Sequence, residues 1–289
     1  MRTPKIFVLL CAVVPAALIA CLAPATRASV IAVDDAPRGW LVIEGGSYPT
    51  NPVVARRFRE LIGGANAKVL IVPTASSDAQ LTPGASDTVA SGLGLTNYEV
   101  LHTRDREQAN SESFAARVRQ ARGVWFGGGR PGRLAEAYVG TRTARELDEF
   151  YREGGVIGGT SAGAMSLSSF LVRGGVDNDD FRNLISKKNR QGFGFLPDAA
   201  IDVHINQRPN GEGDLAQVVA AYPGLLGIGV DAGTAIVVHG RQFEVIGGAN
   251  ARVTITDGLL HDGKPYYFLS LGDRFDLSRR VATRASRTG

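Results

Sequence analysis

The chain has 289 residues, 44% of them hydrophobic and 21% charged, with 36 glycines. That is enough apolar material for a large buried core in one embellished domain, and it excludes a disordered or fibrous protein. A formal charge of +4 is too small to point to nucleic acid, and it shrinks further when the chain is read from its start.

Residues 1–28 open with Arg2 and Lys5, run through the apolar stretch Ile6–Cys21 and reach Ala23-Pro24-Ala25. A basic start, an apolar centre and a small-residue exit make this an expected signal peptide, so the protein is expected to be exported, periplasmic or secreted. Two exits compete: cleavage after Ala25 or Ala28 releases a soluble protein, whereas Leu18-Ile19-Ala20-Cys21 resembles a lipoprotein site. The second would leave a lipid anchor at Cys21 and an outer-membrane lipoprotein. Arg2, Lys5 and Arg27 leave with this segment and no acid does, which brings the remainder near +1. Both cysteines, Cys11 and Cys21, leave too when cleavage is downstream. The domain then has no thiol nucleophile, disulfide or thiolate metal site.

From residue 39 short β-rich runs alternate with helical spacing. Trp40–Gly46 reads as a buried strand ending in a glycine turn, and Asn51–Ile62 as a helix with apolar Val53, Val54, Phe58, Leu61 and Ile62. Lys68–Pro73 is a second strand, Thr82–Leu93 a helical stretch, and Tyr98–Leu101 a third strand. Ser113–Arg122 is an amphipathic helix and Gly123–Phe126 a fourth strand. Gly154–Gly158 is a fifth. Val-, Ile- and Leu-rich strands separated by helices predict parallel βαβ units, and hence an α/β three-layer sandwich around a mostly parallel sheet. Beyond residue 222 the strand-dense runs 228–230, 234–238, 243–246 and 253–255 predict hairpins that extend the sheet. The expected division is a signal peptide at 1–28, one domain over 29–275 and a basic, solvated tail over 276–289 carrying Arg279, Arg280, Arg284 and Arg287.

The fifth strand runs into Gly159-Thr160-Ser161-Ala162-Gly163, the spacing of a nucleophile elbow, in which a strained turn exposes a serine at a strand end. The amide of Ala162 then points where an oxyanion would form. A glycine-rich strand-to-helix turn with an incidental serine has the same text. A serine needs a general base. His102 lies at a strand end, His239 near the end of a β run and His261 beside Asp262-Gly263 in an expected turn, whereas His204 sits in an apolar run (Ala200–Ile205) that leads to a polar loop, where open α/β sheets gather their sites. Asp177, Asp179 and Asp180 form an acidic knot between serine and histidine, and spacing alone does not choose among them. Phe126-Gly127-Gly128-Gly129-Arg130 supplies a second turn of amides and lacks the Lys-Ser/Thr ending of a phosphate loop. No grouping of His, Cys and acids has metal-ligand spacing, so neither metal nor cofactor is expected.

These residues resemble the cyanophycinase and dipeptidase E family of serine peptidases. The likeness rests on Phe126–Gly129, Gly158–Ala164, Gly194-Phe195-Leu196-Pro197, Asp202-Val203-His204 and Gly227–Asp231, in order over roughly 39–272. It implies a fold like the class I glutamine-amidotransferase domains, with Ser161 as nucleophile, His204 as base, an acid near Asp179 and oxyanion amides at Gly129 and Ala162. It also implies amide cleavage next to aspartate, α-linked in dipeptides or β-linked to arginine in cyanophycin. Asp202 and Arg208 become substrate-binding candidates. The chain departs from cyanophycinases at Gly128-Gly129-Arg130-Pro131, where they resemble Gly-Gly-Asp-Gln. Val203 replaces a glutamine, and Asn210 and Gly213 stand where further arginines are expected. Asparagine cannot replace a bidentate guanidinium, so the substrate grip is altered. A peptide or polypeptide is the expected partner, and a homodimer stays open. An α/β-hydrolase-type esterase and a non-catalytic ligand-binding relative are the competing readings.

Overall fold

The computed structural model describes residues 36–177, 183–185 and 188–286. The signal-peptide segment lies outside them. A first sheet of nine strands has the order β14-β13-β10-β9-β1-β5-β4-β2-β3. Its parallel half is β1 (Trp40–Glu44), β5 (Val156–Thr160), β4 (Gly123–Phe126), β2 (Val69–Val72) and β3 (Tyr98–Val100). Next to β1, the strands β9 (Thr234–His239), β10 (Gln242–Gly247), β13 (Arg274–Asp276) and β14 (Val281–Thr283) continue antiparallel. The predicted α/β architecture with a largely parallel central sheet and C-terminal strand additions is therefore present.

Alternation along the parallel strands explains the layering. Leu41, Ile43, Leu70 and Val72 feed one core, and Val42, Val69 and Ile71 feed another on the opposite face. A sheet buried on both faces has no room for polar alternation, which is why these strands read as continuous apolar runs. Helix α1 (Pro52–Ile62) covers the second face through Val54, Ala55, Phe58 and Ile62. Its ends are set locally: the Asn51 side chain accepts from the Val53 amide, proline opens the first turn, and Gly63 closes it in the left-handed conformation. The Phe58 ring then packs edge-on against Trp125 at 5.0 Å.

Three expectations are corrected. The late strands do not all extend one sheet. A second sheet of order β12-β11-β8-β7-β6 gathers β6 (Ser168–Leu171), β7 (Leu196–Val203), β8 (Leu226–Val230), β11 (Arg252–Thr256) and β12 (Tyr267–Ser270). Its apolar residues, among them Ile201, Ile228 and Val253, join the first core. The expected helix over 113–122 is broken into an α-turn at Glu112–Ala115 and a 3₁₀ turn at Val118–Gln120. The basic tail is not a free end, because β14 pairs with β13. Buried Asp273 fastens it further, accepting from the Ala285 amide at 2.8 Å and from Arg284 at 2.8 Å.

Candidate active site

The elbow is built by close packing rather than by the serine. A Cβ on Gly163 would lie 2.2 Å from the Phe126 carbonyl oxygen, and one on Gly159 would lie 2.7 Å from the Gly163 carbonyl carbon. Both positions therefore exclude any side chain, so the short helix Ala162–Met165 can sit directly against β4 and β5. Ser161 between them adopts φ 53° and ψ −119°, a conformation that costs about 1–3 kcal/mol in a non-glycine residue and recurs where function requires it. Its amide donates to the Glu44 carbonyl at 3.2 Å.

His204 arrives from the other sheet. It follows the last residue of β7, takes up the left-handed conformation (φ 56°, ψ 33°) and caps the 3₁₀ turn Ile205–Gln207. Its amide donates to the carbonyl of Gly45, just past β1, at 3.0 Å. The result places His204 Nε2 3.0 Å from Ser161 Oγ. The imidazole lies against Gly46, where an added Cβ would fall 2.1 Å from Cε1 and 2.5 Å from Nε2. Burial, and after it the charge of Arg208, pushes the imidazole below the ordinary histidine value; the Gln207 hydrogen bond and the Asp202 charge oppose this. A neutral imidazole at neutral pH is the form that can accept a proton.

Ser161 and His204 line a cleft of about 760 Å³ whose walls include Tyr48, Pro49, Ile71, Pro73 and Trp125. Gly128 faces the serine: its missing Cβ would lie 3.4 Å from Ser161 Cβ. Among the described residues the backbone amides of Gly128, Gly129 and Ala162 donate to no acceptor, as amides kept for a ligand oxygen would be.

The remaining candidates fall elsewhere. Asp179 and Asp180 lie outside the described residues. Asp177 lines a separate cavity of about 490 Å³ with Arg130 and Arg133. Asp202 does not fit a substrate contact, because its side chain is fully buried and already occupied. Its Oδ2 takes Arg208 at 2.5 Å and Arg173 at 3.4 Å, and its Oδ1 takes the Val203 amide. Arg173 in turn reaches Asp214 at 2.8 Å. Arg208 is thus tied into this network and mostly buried.

Three site residues escaped the sequence reading. Gln207 Oε1 stands 3.1 Å from His204 Nδ1; the signal was a polar residue three positions after the histidine. Gly46 was visible as half of a Gly-Gly turn, with nothing to connect it to residue 204. Glu44 is completely buried, and its Oε1 accepts from the Ser47 hydroxyl at 2.8 Å and the Asn51 amide at 2.9 Å. Burial holds its carboxyl above the usual range. It pins the loop that carries Gly46.

Known proteins resemble this chain over most of its length. Curated cyanophycinases are similar: that of Trichormus variabilis is 29% identical over 245 residues, 79% of this chain and 81% of the relative. The cyanophycinase of Geminocystis herdmanii is 29% identical over 207 residues, 71% of this chain and 75% of its own. Among solved structures, a peptidase from an acI-B1 Actinobacterium superposes with a TM-score of 0.64 at 25% identity, covering 84% of this chain and 98% of that one. A Listeria monocytogenes EGD-e structure, at TM-score 0.54 and 17% identity over 73% of this chain and 98% of its own, shares the fold alone. The model of peptidase family S51 matches residues 41–246, from the first strand of the core through Ser161 and His204 to β10, and the chain belongs to that family of serine-type peptidases.

Proposed function

We propose that this peptidase is exported and cleaves peptide or isopeptide amide bonds next to aspartyl residues through an acyl-enzyme on Ser161. The observation that carries the reading is the 3.0 Å contact between Ser161 Oγ and His204 Nε2 in the wall of the cleft. His204 takes the hydroxyl proton as Oγ attacks the carbonyl carbon, and the oxyanion that forms accepts from the amides of Ala162 and of the Gly128–Gly129 turn. The imidazolium then passes its proton to the leaving amine. Water, deprotonated by the same nitrogen, attacks the ester and restores Ser161.

Aspartyl specificity rests on the likeness to cyanophycinases, and the substitutions at Arg130, Pro131, Val203, Asn210 and Gly213 make the leaving group the open part of the specificity. Export rests on the composition of residues 1–28. The decisive experiment incubates the purified protein with cyanophycin, a panel of Asp-X dipeptides and a chromogenic aspartyl amide. A burst of product that disappears in Ser161→Ala is the expected result; full activity in that variant refutes the mechanism. N-terminal sequencing of the exported protein distinguishes cleavage beyond Cys21 from lipidation at it.

A further inference from the structure

We infer that Gln207, a neutral amide, is the positioning residue that orients the His204 imidazole in this peptidase. This rests on the proposed roles of Ser161 and His204. The local chain makes the pairing. His204 in the left-handed region turns the backbone sharply, the Gln207 amide closes that turn on the His204 carbonyl at 3.0 Å, and three residues of 3₁₀ geometry return the Gln207 side chain to the ring. Its Oε1 sits 3.1 Å from Nδ1. An amide oxygen only accepts, so Nδ1 carries the hydrogen, which leaves the Nε2 lone pair directed at Ser161 Oγ. The contact thus selects the tautomer a general base needs.

The choice of an amide has a chemical consequence. An orienting carboxylate would fix the same tautomer and also stabilise the imidazolium by its charge. Glutamine supplies the orientation without the charge. Among the described residues the acids on the neighbouring elements are engaged elsewhere, and the nearby Arg208 charge pushes the imidazole down rather than supporting its charged form. Asp202, on the strand that ends at His204, is shared between Arg173 and Arg208. Glu44, at the end of β1, is turned to Ser47 and Asn51. Asp231, after β8, pairs with Arg252 at 2.7 Å. The base is accordingly a weak one, suited to working at lower pH than a carboxylate-backed histidine.

The test compares pH profiles of kcat/KM on the aspartyl amide for the full chain and for Gln207→Ala, Gln207→Glu and Asp179→Asn, with thermal unfolding of each. Gln207→Ala should lower kcat/KM about tenfold, a fraction of the 10²–10⁴ a general base supplies, without loss of fold. Gln207→Glu should restore the rate and move the acid limb up by about one unit, the low end for a neighbouring carboxylate because position 207 faces water. Asp179→Asn should leave the limb in place. A Gln207→Glu profile superimposable on the wild type overturns the inference, as does an acid limb that responds to Asp179→Asn and not to position 207. Fluorophosphonate labelling keeps the two claims apart: wild-type protein whose Ser161 is not labelled defeats the nucleophile reading, whereas normal labelling with silent position-207 variants defeats this one alone.

Discussion

Gly46→Ala introduces a single methyl group and should separate catalysis from folding. The new Cβ would lie 2.1 Å from His204 Cε1, well inside the ordinary carbon–carbon contact of about 3.5–4.0 Å. The ring must therefore retreat by more than an ångström, since Gly46 is fixed by the backbone bonds at Gly45 and Gly233 on either side. The imidazole is the movable partner, and its retreat breaks the 3.0 Å contact with Ser161. A misplacement of about 1 Å at a reacting group costs on the order of 10²-fold. The backbone at Gly46, with φ 111°, adds strain of about 1–3 kcal/mol, or a fall in Tm of roughly 2–12 °C for a domain of this size. The measurements are kcat/KM on an aspartyl amide and the rate of fluorophosphonate labelling, both at a temperature where the variant is folded. A variant that keeps its fold and loses about a hundredfold in both agrees with the geometry. A folded variant within threefold of wild type on both would refute the placement of His204 against Gly46.

Other expectations follow from the same contacts. Gly163→Ala should be far more damaging to the fold, because the atoms it meets, the carbonyl oxygens of Phe126 and Gly127 at 2.2 and 2.8 Å, belong to the backbone. Overpacking of this kind costs about 1–3 kcal/mol or more, and soluble yield and Tm are the readouts. Asp202→Ala leaves buried Arg173 and part-buried Arg208 short of a partner. It should cost about 3–5 kcal/mol in chemical denaturation while leaving KM nearly unchanged, whereas a substrate contact would raise KM. The acid limb of kcat/KM should lie below the ordinary histidine value of 6.5, and Arg208→Gln should move it upward by removing the charge that depresses it. The sign for stability is the reverse of a salt-bridged histidine. With the folded value lowered, the unfolded chain binds more protons between the two values, so stability from this group falls as pH drops through that window. His204→Gln should remove that part of the pH dependence in urea melts.

How far the sequence carried is clearest residue by residue. The elbow was legible because its glycines answer a packing demand, Gly159 on Gly163 and Gly163 on Phe126, that no other residue type meets. His204 was legible as a histidine in an apolar run that leads into a polar loop. Division into two sheets was not, since β7 and β8 pair in parallel just as β2 and β4 do. Sheet membership is decided by which edge a strand finds, and periodicity does not record that. Asp202 became a substrate-binding candidate with the family resemblance, yet its carboxylate is buried against Arg173 and Arg208. The closing strand β14 has three residues and basic neighbours, too short a run to separate from a solvated end. Gly46 and Gln207 became meaningful only once His204 had a position in space.

Ser161 belongs to the first sheet and His204 to the second, and the seam between them is crossed at this point by one backbone bond from the His204 amide to Gly45. The pair is therefore a ruler laid across two slabs. Any sliding of one slab on the other lengthens the ruler before either slab melts. On gentle heating or in low urea, turnover should fade while the far-ultraviolet signal of both sheets is still intact.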